Sequence, residues 1–442
     1  MEKKKILMLI LPEIGHMNPM LCIARDLVDN NYEVVFYGLS SQKELIEQSG
    51  AHFKQYVYEN YSCRTNSLQK DPANNMLGIL MSLIDLSYKE VPKLAQEIQN
   101  LQPDLIVFDN ISVPAKYLIK YLEKNSTKAP KYVQFFTLLP SIKNIYPSAE
   151  LLKQICVVPS GFMFNIQRYW LNFKQRLITS YFGIEYSDPL ELSTFPSDLN
   201  IVTIMPGIHP FENSFNSSFR FVGCCLSDKV RKLNIEPKLK EQLDLFEVIN
   251  PRENIHNELN DKRLIYVSLG TVFYNNVFVF DTIIEAFKEI NNSNWIVVIS
   301  VGKENTKLYE ERQKKGSFLI PENIVLVSFA PQIYLLERAS LFITHCGMNS
   351  TSEALHYGVP IIGIPIKADQ PRVAFRICDE LNLGIRFNPL KLDVVKLRDA
   401  ILQVLTDKSY LYRILEYSKQ SRKHCGIKES VYLIDDYIKS CN

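Results

Sequence analysis

The chain has 442 residues, of which 46% are hydrophobic and 22% charged, and its formal net charge is +2. A single hydrophobic core stops growing at about 250–300 residues, so this length predicts two domains. The near-neutral charge gives no electrostatic reason to expect a nucleic-acid or membrane-surface partner.

The cysteines and the apolar segments indicate a protein of a reducing compartment. Nine cysteines are scattered along the chain, with no Cys-x-x-Cys pair and no zinc-ligand spacing. They are typical of reduced thiols, and we expect a cytoplasmic location. Residues 6–11 follow a group of lysines, but this apolar run is short and lacks a small-residue cleavage site, which favours a core strand over a signal peptide. No run of 18 apolar residues occurs, so no integral membrane anchor is expected.

Strand-like and helix-like segments alternate through the first half of the chain. Residues 5–11 predict a strand, residues 18–30 a helix and residues 32–37 a second strand. Two further apolar runs, at 105–108 and 132–137, are also predicted strands. This alternation indicates βαβ units with a parallel sheet, whose right-handed crossovers bring the strand ends to one edge.

A second series of strands begins at residues 264–269. Helical patterns separate the predicted strands that follow it, at 295–300, 324–327, 341–344 and 360–364. The fold class is therefore predicted as α/β, with two Rossmann-like, doubly wound domains in tandem. The segment between them shows no strand pattern and is predicted to be a linker with a helical insertion. The predicted boundaries are 1–222 for the first domain, 223–262 for the linker, 263–425 for the second domain and 426–442 for a last helix.

His16 directly follows the first predicted strand, and Asn18-Pro19 is predicted to start the next helix. An imidazole has an ordinary pKa of about 6.5, so at this strand end it is suited to act as a general base. The alternative is a capping or core histidine. Asp109 ends the strand at 105–108, where it could orient His16 by accepting a hydrogen bond. The alternative for Asp109 is a helix N-cap.

The segment 341–355 is predicted to be a buried strand, a turn and a helix. His345 ends the strand, and Gly347 permits a tight turn. A helix N-terminus beside an imidazole is an anion site that would suit a diphosphate. The residues predicted to supply the N-cap chemistry are Asn349, Ser350 and Thr351.

Other polar or aromatic residues follow the predicted strands of the second half. Ser268 and Thr271 could contact phosphate or sugar oxygens, although an ordinary hydroxyl-bonded turn is the alternative. Phe329 could stack on a nucleobase, and Gln332 could reach a ribose, but a plain turn explains the same residues. Glu353 could bind a ribose diol. The pair Asp369-Gln370 could bind sugar hydroxyls. The alternative for Glu353, Asp369 and Gln370 is a solvated surface position.

Two classes of site are not indicated. No Gly-x-Gly-x-x-Gly sequence follows either first strand, which argues against a dinucleotide-binding oxidoreductase. No Asp-x-Asp sequence occurs, and histidines and cysteines show no ligand spacing, so a metal-dependent site is not expected.

Taken together, these residues resemble the family-1 glycosyltransferases, which use nucleotide-diphosphosugars and have two facing Rossmann-like domains with the active site in the cleft between them (the GT-B fold). The spacing between Phe329 and His345 is similar to that of the bacterial macrolide-type branch. The segments that carry the resemblance are 15–19, 103–109, 219–223, 267–271, 329–332, 344–355 and 368–370. The resemblance also implies that the last helix, 426–442, crosses back to the N-terminal domain.

The resemblance implies a donor site in the second domain. Phe329 would stack on the uracil, and the backbone of Ala330 would lie at the edge of this base. Gln332 would lie near the ribose, whose hydroxyls Glu353 would hold. His345 would bind the diphosphate. The residues that would assist it are Gly347, Asn349 and Ser350.

The resemblance also implies that Asp369 and Gln370 hold the sugar, that His16 is the base and that Asp109 is its partner. We therefore predict an inverting glycosyltransferase that moves a hexose from a UDP-sugar, with UDP-glucose as the leading candidate, to a hydroxyl of a small apolar acceptor. The UDP-sugar would be a co-substrate, with no metal and no further cofactor.

Aromatic residues are frequent between positions 132 and 183, and some are predicted to line an acceptor pocket while most belong to the core. The alternatives are another GT-B enzyme, such as a lipid-precursor glycosyltransferase or a nucleotide-sugar epimerase, and a non-catalytic nucleotide-sugar-binding protein. The sequence favours no particular oligomeric state.

Overall fold

The computed structural model describes residues 3–57, 75–126, 130–142, 145–147, 162–185, 195, 197–227, 235–245, 262–270, 277–366 and 368–440. The chain divides into two compact units. The N-terminal unit comprises Met1–Val230 together with His424–Asn442, and the C-terminal unit comprises Arg231–Lys423. The predicted domain boundaries stay predictions.

The N-terminal unit is built on a parallel sheet. Its described strands are β1 (Lys5–Leu9), β2 (Glu33–Gly38), β3 (His52–Gln55), β4 (Leu105–Asp109), β5 (Lys131–Phe136), β6 (Asn200–Val202) and β7 (Phe219–Phe221). They lie in the order β3-β2-β1-β4-β5-β6-β7, and every pair is parallel. The described helices between them are α1 (Ile14–Asp29), α2 (Lys43–Gln48), α3 (Asn75–Leu101), α4 (Val113–Asn125) and α5 (Phe162–Phe182).

Both faces of this sheet are covered, which explains why its strands are continuous apolar runs. In β1, Ile6 and Met8 face one core cluster with the apolar side of α1. Leu7 and Leu9 face a second cluster, to which α3, α4 and α5 contribute. A parallel strand buried on both faces shows no alternation of apolar and polar residues.

The last helix of the chain, α14 (Gly426–Ser440), belongs to the N-terminal unit. Ile427, Val431, Ile434 and Ile438 recur at helical spacing and enter the same cluster as α1. The hydroxyl of Tyr32 donates a 2.6 Å hydrogen bond to Asp435, which ties the exposed side of α14 to the segment before β2.

The C-terminal unit repeats the architecture. Its described strands are β8 (Arg263–Ser268), β9 (Trp295–Ser300), β10 (Ile324–Val327), β11 (Ala339–Thr344), β12 (Ile361–Gly363) and β13 (Gly384–Arg386), in the order β10-β9-β8-β11-β12-β13. Its described helices are α6 (Pro237–Leu245), α7 (Val277–Ile290), α8 (Lys303–Lys314), α9 (Gln332–Leu336), α10 (Met348–Tyr357), α11 (Gln370–Ala374), α12 (Val394–Thr406) and α13 (Lys408–Ser421). Both sheets thus have the doubly wound order, which confirms the predicted fold class.

The strand ends of the C-terminal unit lie in one line. Ser268, the last residue of β8, pairs with Ser300 of β9, and Ser300 pairs with Val327 of β10. On the other side, Ser268 pairs with Thr344 of β11, which pairs with Gly363 of β12. The segments that follow these strands therefore emerge at the same edge of the sheet, where open α/β folds bind ligands.

One predicted helix start was wrong. Helix α1 begins at Ile14 rather than at Asn18, because the backbone N–H groups of His16 and Met17 both donate to the carbonyl of Glu13 at 2.9 Å. Pro19 consequently lies inside the helix, where its ring removes one backbone hydrogen bond but does not end α1. Within the described residues, no helix is long and apolar enough to cross a membrane.

Candidate active site

His16 and Asp109 meet at the centre of the N-terminal sheet. His16 is the third residue of α1, which follows β1, and Asp109 is the last residue of β4. Strands β1 and β4 are neighbours, with Leu9 paired to Phe108. The strand order reverses between these two strands, and this switch point is the usual ligand position in doubly wound sheets.

The two side chains form a hydrogen-bonded pair. His16 Nδ1 lies 2.7 Å from Asp109 Oδ2, and Asp109 is fully buried while His16 retains 13% side-chain exposure. The second carboxylate oxygen of Asp109 accepts a 2.7 Å hydrogen bond from the backbone of Ile111. Helix α4 instead has Ser112 at its N-cap, so the alternative of Asp109 as a helix cap was wrong.

Thr137 is a third partner, which the sequence patterns did not single out. Its hydroxyl lies 2.8 Å from His16 Nδ1, and it directly follows β5, the neighbour of β4. Because an ionised carboxylate only accepts hydrogen bonds, we assign the proton of the neutral imidazole to Nδ1. Thr137 Oγ1 then accepts from the same N–H, and Nε2 carries the lone pair that a general base needs.

Lys116 is a buried cation near this pair, and it too was missed. It lies in α4 with 4% exposure, and its ammonium donates to the backbone carbonyl of Asn110. Burial lowers its pKa to about 7, and the charge of Asp109 acts in the opposite direction. A lysine in an amphipathic helix usually marks the solvated face, so no sequence signal pointed to its burial.

In the C-terminal unit, His345 lies between two glycines. A β-carbon at Gly270 would lie 2.7 Å from His345 Nε2, and one at Gly347 would lie 2.6 Å from the same atom. Gly270 follows β8, and His345 follows the neighbouring strand β11, so the ring occupies the switch point of the second sheet. Between His345 and Gly347, Cys346 adopts a left-handed φ of 60° and is fully buried.

The imidazole of His345 is held in its neutral form. Burial lowers its pKa from 6.5 to about 4, and a hydrogen bond with the Ser268 backbone acts in the opposite direction. A neutral imidazole still has one N–H to donate. An anion beside the ring would favour the charged form, so a bound diphosphate would raise the pKa of His345.

Helix α10 begins immediately after this turn, but without the predicted capping side chains. Gly347 occupies the N-cap position, and the first backbone bond of the helix joins Thr351 N to Gly347 O at 2.9 Å. Asn349, Ser350 and Thr351 are therefore inside the helix, and their prediction as N-cap residues was wrong. The N-terminal end of α10 nevertheless follows His345 by three residues, where the helix dipole favours negative charge.

Gln332, Ser350 and Glu353 form one hydrogen-bonded group. Gln332 Nε2 lies 3.2 Å from Ser350 Oγ and also donates to the carboxylate of Glu353. Glu353 is only 2% exposed, so the alternative of a solvated surface residue was wrong. A buried carboxylate is costly unless it is hydrogen-bonded, and Gln332 supplies such a bond.

The remaining predicted donor residues lie at the same sheet edge. Phe329 follows β10 and is 66% exposed, whereas Ala330 is buried. Gln370 is buried, and its side-chain oxygen accepts a 2.8 Å hydrogen bond from the backbone of Ile366. Asp369 precedes α11 at its N-cap position.

The turn after β8 is only partly described. Ser268 Oγ accepts a 3.4 Å hydrogen bond from Gly270 N, which is the ordinary turn considered as the alternative for this residue. Thr271 lies outside the described residues. Among the described residues, no group of three histidine, cysteine, aspartate or glutamate side chains could hold a metal ion.

We expect Gly270→Ala to weaken UDP binding about tenfold, since overpacking of this kind typically costs about 1–3 kcal/mol. The added methyl group would displace the His345 ring. Isothermal titration calorimetry with UDP measures the effect. The matched control is Gly316→Ala, because Gly316 shares the left-handed φ (+64° against +81°) but has no heavy atom within 4 Å of the added carbon. Equal UDP affinity in the two variants would contradict the role of Gly270 in holding the His345 ring.

We expect the free energy of unfolding to decrease by about 2 kcal/mol as the pH is lowered from about 6.5 to about 4, because of His345 alone. The unfolded chain binds a proton at this position that the folded chain excludes, so stability rises with pH in this window. Urea denaturation of wild type and His345→Gln across the window measures the difference, with the exposed His52→Gln as control. Parallel pH profiles of wild type and His345→Gln would rule out a lowered pKa for the His345 imidazole.

The chain is similar to known proteins over nearly its whole length. Residues 298–422 match the family described as erythromycin biosynthesis protein CIII-like, C-terminal domain. The chain is 26% identical to the NDP-glycosyltransferase YjiC of Bacillus subtilis (strain 168), over 99% of this chain and 98% of that protein. It is 25% identical to the UDP-glucosyltransferase YdhE of the same organism, over 99% of this chain and 100% of that protein.

A solved structure shows the same fold. The crystal structure of the glycotransferase of kitacinnamycin superimposes with a TM-score of 0.73 at 20% identity, covering 98% of this chain and 99% of that one. The two parallel sheets correspond in strand order over six strands. Together with these similarities, they show a UDP-dependent glycosyltransferase of the GT-B fold that is similar to the family-1 enzymes.

Proposed function

We propose that the enzyme transfers a hexose with inversion from UDP-glucose to a hydroxyl of a small apolar acceptor, and that His16 is the general base. The single observation that carries this proposal is the His16–Asp109 pair, 2.7 Å apart at the switch point of its sheet. His16 Nε2 would take the proton from the acceptor hydroxyl. The buried carboxylate of Asp109 would stabilise the resulting imidazolium.

The C-terminal unit would supply the donor site. His345, its two glycines and the start of α10 would receive the diphosphate, whose charge increases as it leaves. Glu353 would hold the ribose, and the exposed ring of Phe329 would stack on the uracil. Asp369 and Gln370 would contact the sugar. Fixed N–H donors and the imidazole would supply the stabilisation that a metal ion provides in other transferases, so we propose that no metal is required.

Inversion follows from a single displacement. The acceptor oxygen would form its bond to the anomeric carbon from the face opposite the departing UDP, and the proton would pass to His16. An α-linked donor would then give a β-glycoside. UDP-glucose is proposed because one relative of full length is named as a UDP-glucosyltransferase.

The acceptor is proposed from the aromatic residues of α5. Of the aromatic residues between positions 132 and 183, Phe135 and Phe136 are buried in β5. In contrast, exposed fractions between 42% and 69% occur on α5 at Phe173, Trp170, Tyr181 and Tyr169. These rings would favour a flat apolar acceptor such as a phenol or a sterol-like compound. The cytoplasmic location remains a prediction from the cysteine pattern.

The test is incubation of the purified protein with UDP-glucose and a panel of hydroxylated aromatic, sterol-like and lipid-linked compounds, with and without EDTA. A new β-glycoside, identified by mass spectrometry and NMR and formed equally with EDTA, is expected. An epimerised sugar, transfer only to a lipid-linked acceptor, or binding without turnover would each overturn the proposal in favour of one alternative.

A further inference from the structure

Tyr266 lies directly behind the proposed ribose-binding group. It belongs to β8, is 2% exposed, and stacks on Phe342 of β11 with ring centroids 4.8 Å apart and ring planes within 2°. The two residues are register partners on adjacent strands, so the sheet itself fixes the position of the ring. The hydroxyl of Tyr266 donates to Gln332 Oε1 at 3.2 Å.

The partners of Gln332 define the orientation of its amide group. An ionised Glu353 carboxylate only accepts hydrogen bonds, so the amide nitrogen of Gln332 must face it. The same nitrogen lies 3.2 Å from Ser350 Oγ. The amide oxygen therefore faces Tyr266. The tyrosine hydroxyl is thus a hydrogen-bond donor on the oxygen side of the amide, and its loss would weaken the preference for the orientation that faces the amide nitrogen toward Glu353.

We propose that Tyr266 is a positioning residue that acts through Gln332 to hold the Glu353 carboxylate in the orientation that selects a ribose with a 2′-hydroxyl. The inference rests on the proposed donor role of Glu353. A carboxylate that accepts hydrogen bonds from both ribose hydroxyls must be aligned with both. When its support is lost, it reorients, and the bond that distinguishes ribose from deoxyribose weakens.

The test variant is Tyr266→Phe, which retains the ring stacked on Phe342 and removes only the hydroxyl. Calorimetry measures the dissociation constants of UDP and 2′-deoxy-UDP. We expect UDP to bind about three- to tenfold more weakly, the range typical of one lost hydrogen bond, with little change for 2′-deoxy-UDP. The matched control is Tyr309→Phe. Tyr309 is a buried tyrosine of the same unit, and its hydroxyl donates to Asp281 at 2.8 Å; this control should leave both constants unchanged.

A second variant separates this inference from the proposed function. If Glu353→Gln leaves UDP affinity unchanged, the donor role of Glu353 fails, and the inference fails with it. If Glu353→Gln weakens UDP binding but Tyr266→Phe preserves the preference for UDP over 2′-deoxy-UDP, only the role of Tyr266 is overturned. Should Tyr266→Phe not fold, Gln332→Met interrupts the same connection and must reduce the preference for UDP over 2′-deoxy-UDP by about three- to tenfold. An unchanged preference in that variant overturns the inference.

Discussion

Replacement of His16 by alanine is expected to lower kcat by about 10²–10⁴-fold, the usual contribution of a general base, while the affinity for UDP-glucose stays at the wild-type value. The imidazole is positioned by Asp109 and Thr137 within the N-terminal unit, at 2.7 Å and 2.8 Å from Nδ1. The proposed donor residues all belong to the C-terminal unit. Steady-state kinetics with saturating donor and calorimetry with UDP-glucose therefore measure two separable properties.

His52→Ala is a suitable control for His16→Ala. His52 is an exposed histidine of β3 in the same unit, and its removal should leave both kcat and donor affinity unchanged. Wild-type turnover by His16→Ala would eliminate the assignment of the base. A loss of donor affinity without a loss of kcat would instead give His16 a binding role.

Replacement of Glu353 by alanine is expected to weaken UDP binding about 10- to 100-fold. Hydrogen bonds to a charged group typically contribute about 1.5–3 kcal/mol, and the ribose hydroxyls would lose such an acceptor. The carboxylate is 2% exposed and is bonded to Gln332, so solvent provides little screening of its interactions. Calorimetric titration with UDP measures the loss.

An exposed glutamate of the same unit serves as the control for Glu353. The side chain of Glu416 in α13 is 65% exposed, and Glu416→Ala should bind UDP as the wild type does. Undiminished UDP affinity in Glu353→Ala would remove the ribose-binding role from this residue. An equal decrease in UDP affinity in Glu353→Ala and Glu416→Ala would indicate that the C-terminal unit is no longer folded.

The strands and the family were predictable from the sequence, because their signals are local. Buried parallel strands such as β1 and β11 are short apolar runs. His345 directly follows β11, and His16 lies in the first turn of the helix that comes after β1. The predicted two-sheet α/β fold and the glycosyltransferase class of enzyme are confirmed by the topology and by the relatives. The roles of the individual site residues stay predictions.

The helix starts and the supporting residues were not predictable, because their signals are not local. Helices α1 and α10 have Glu13 and Gly347 at their N-cap positions, and neither makes a side-chain capping bond, so the residues that usually mark a helix start were misleading. The burial of Lys116 and the contact of Thr137 with His16 depend on which strands become neighbours. The His345 ring lies against both Gly270 and Gly347, which are more than seventy positions apart in the chain.

The return of α14 to the N-terminal unit has a consequence for any attempt to exchange N-terminal units between related enzymes. A recombinant fragment that stops after β7 would leave the apolar stripe of α1 without Ile427, Val431, Ile434 and Ile438. Bare aliphatic surface of this kind promotes aggregation. A transplanted N-terminal unit must therefore be discontinuous in sequence and include residues 426–440 as well as the chain up to β7. A chimaera would need a second crossover before α14, or the gene would have to be circularly permuted.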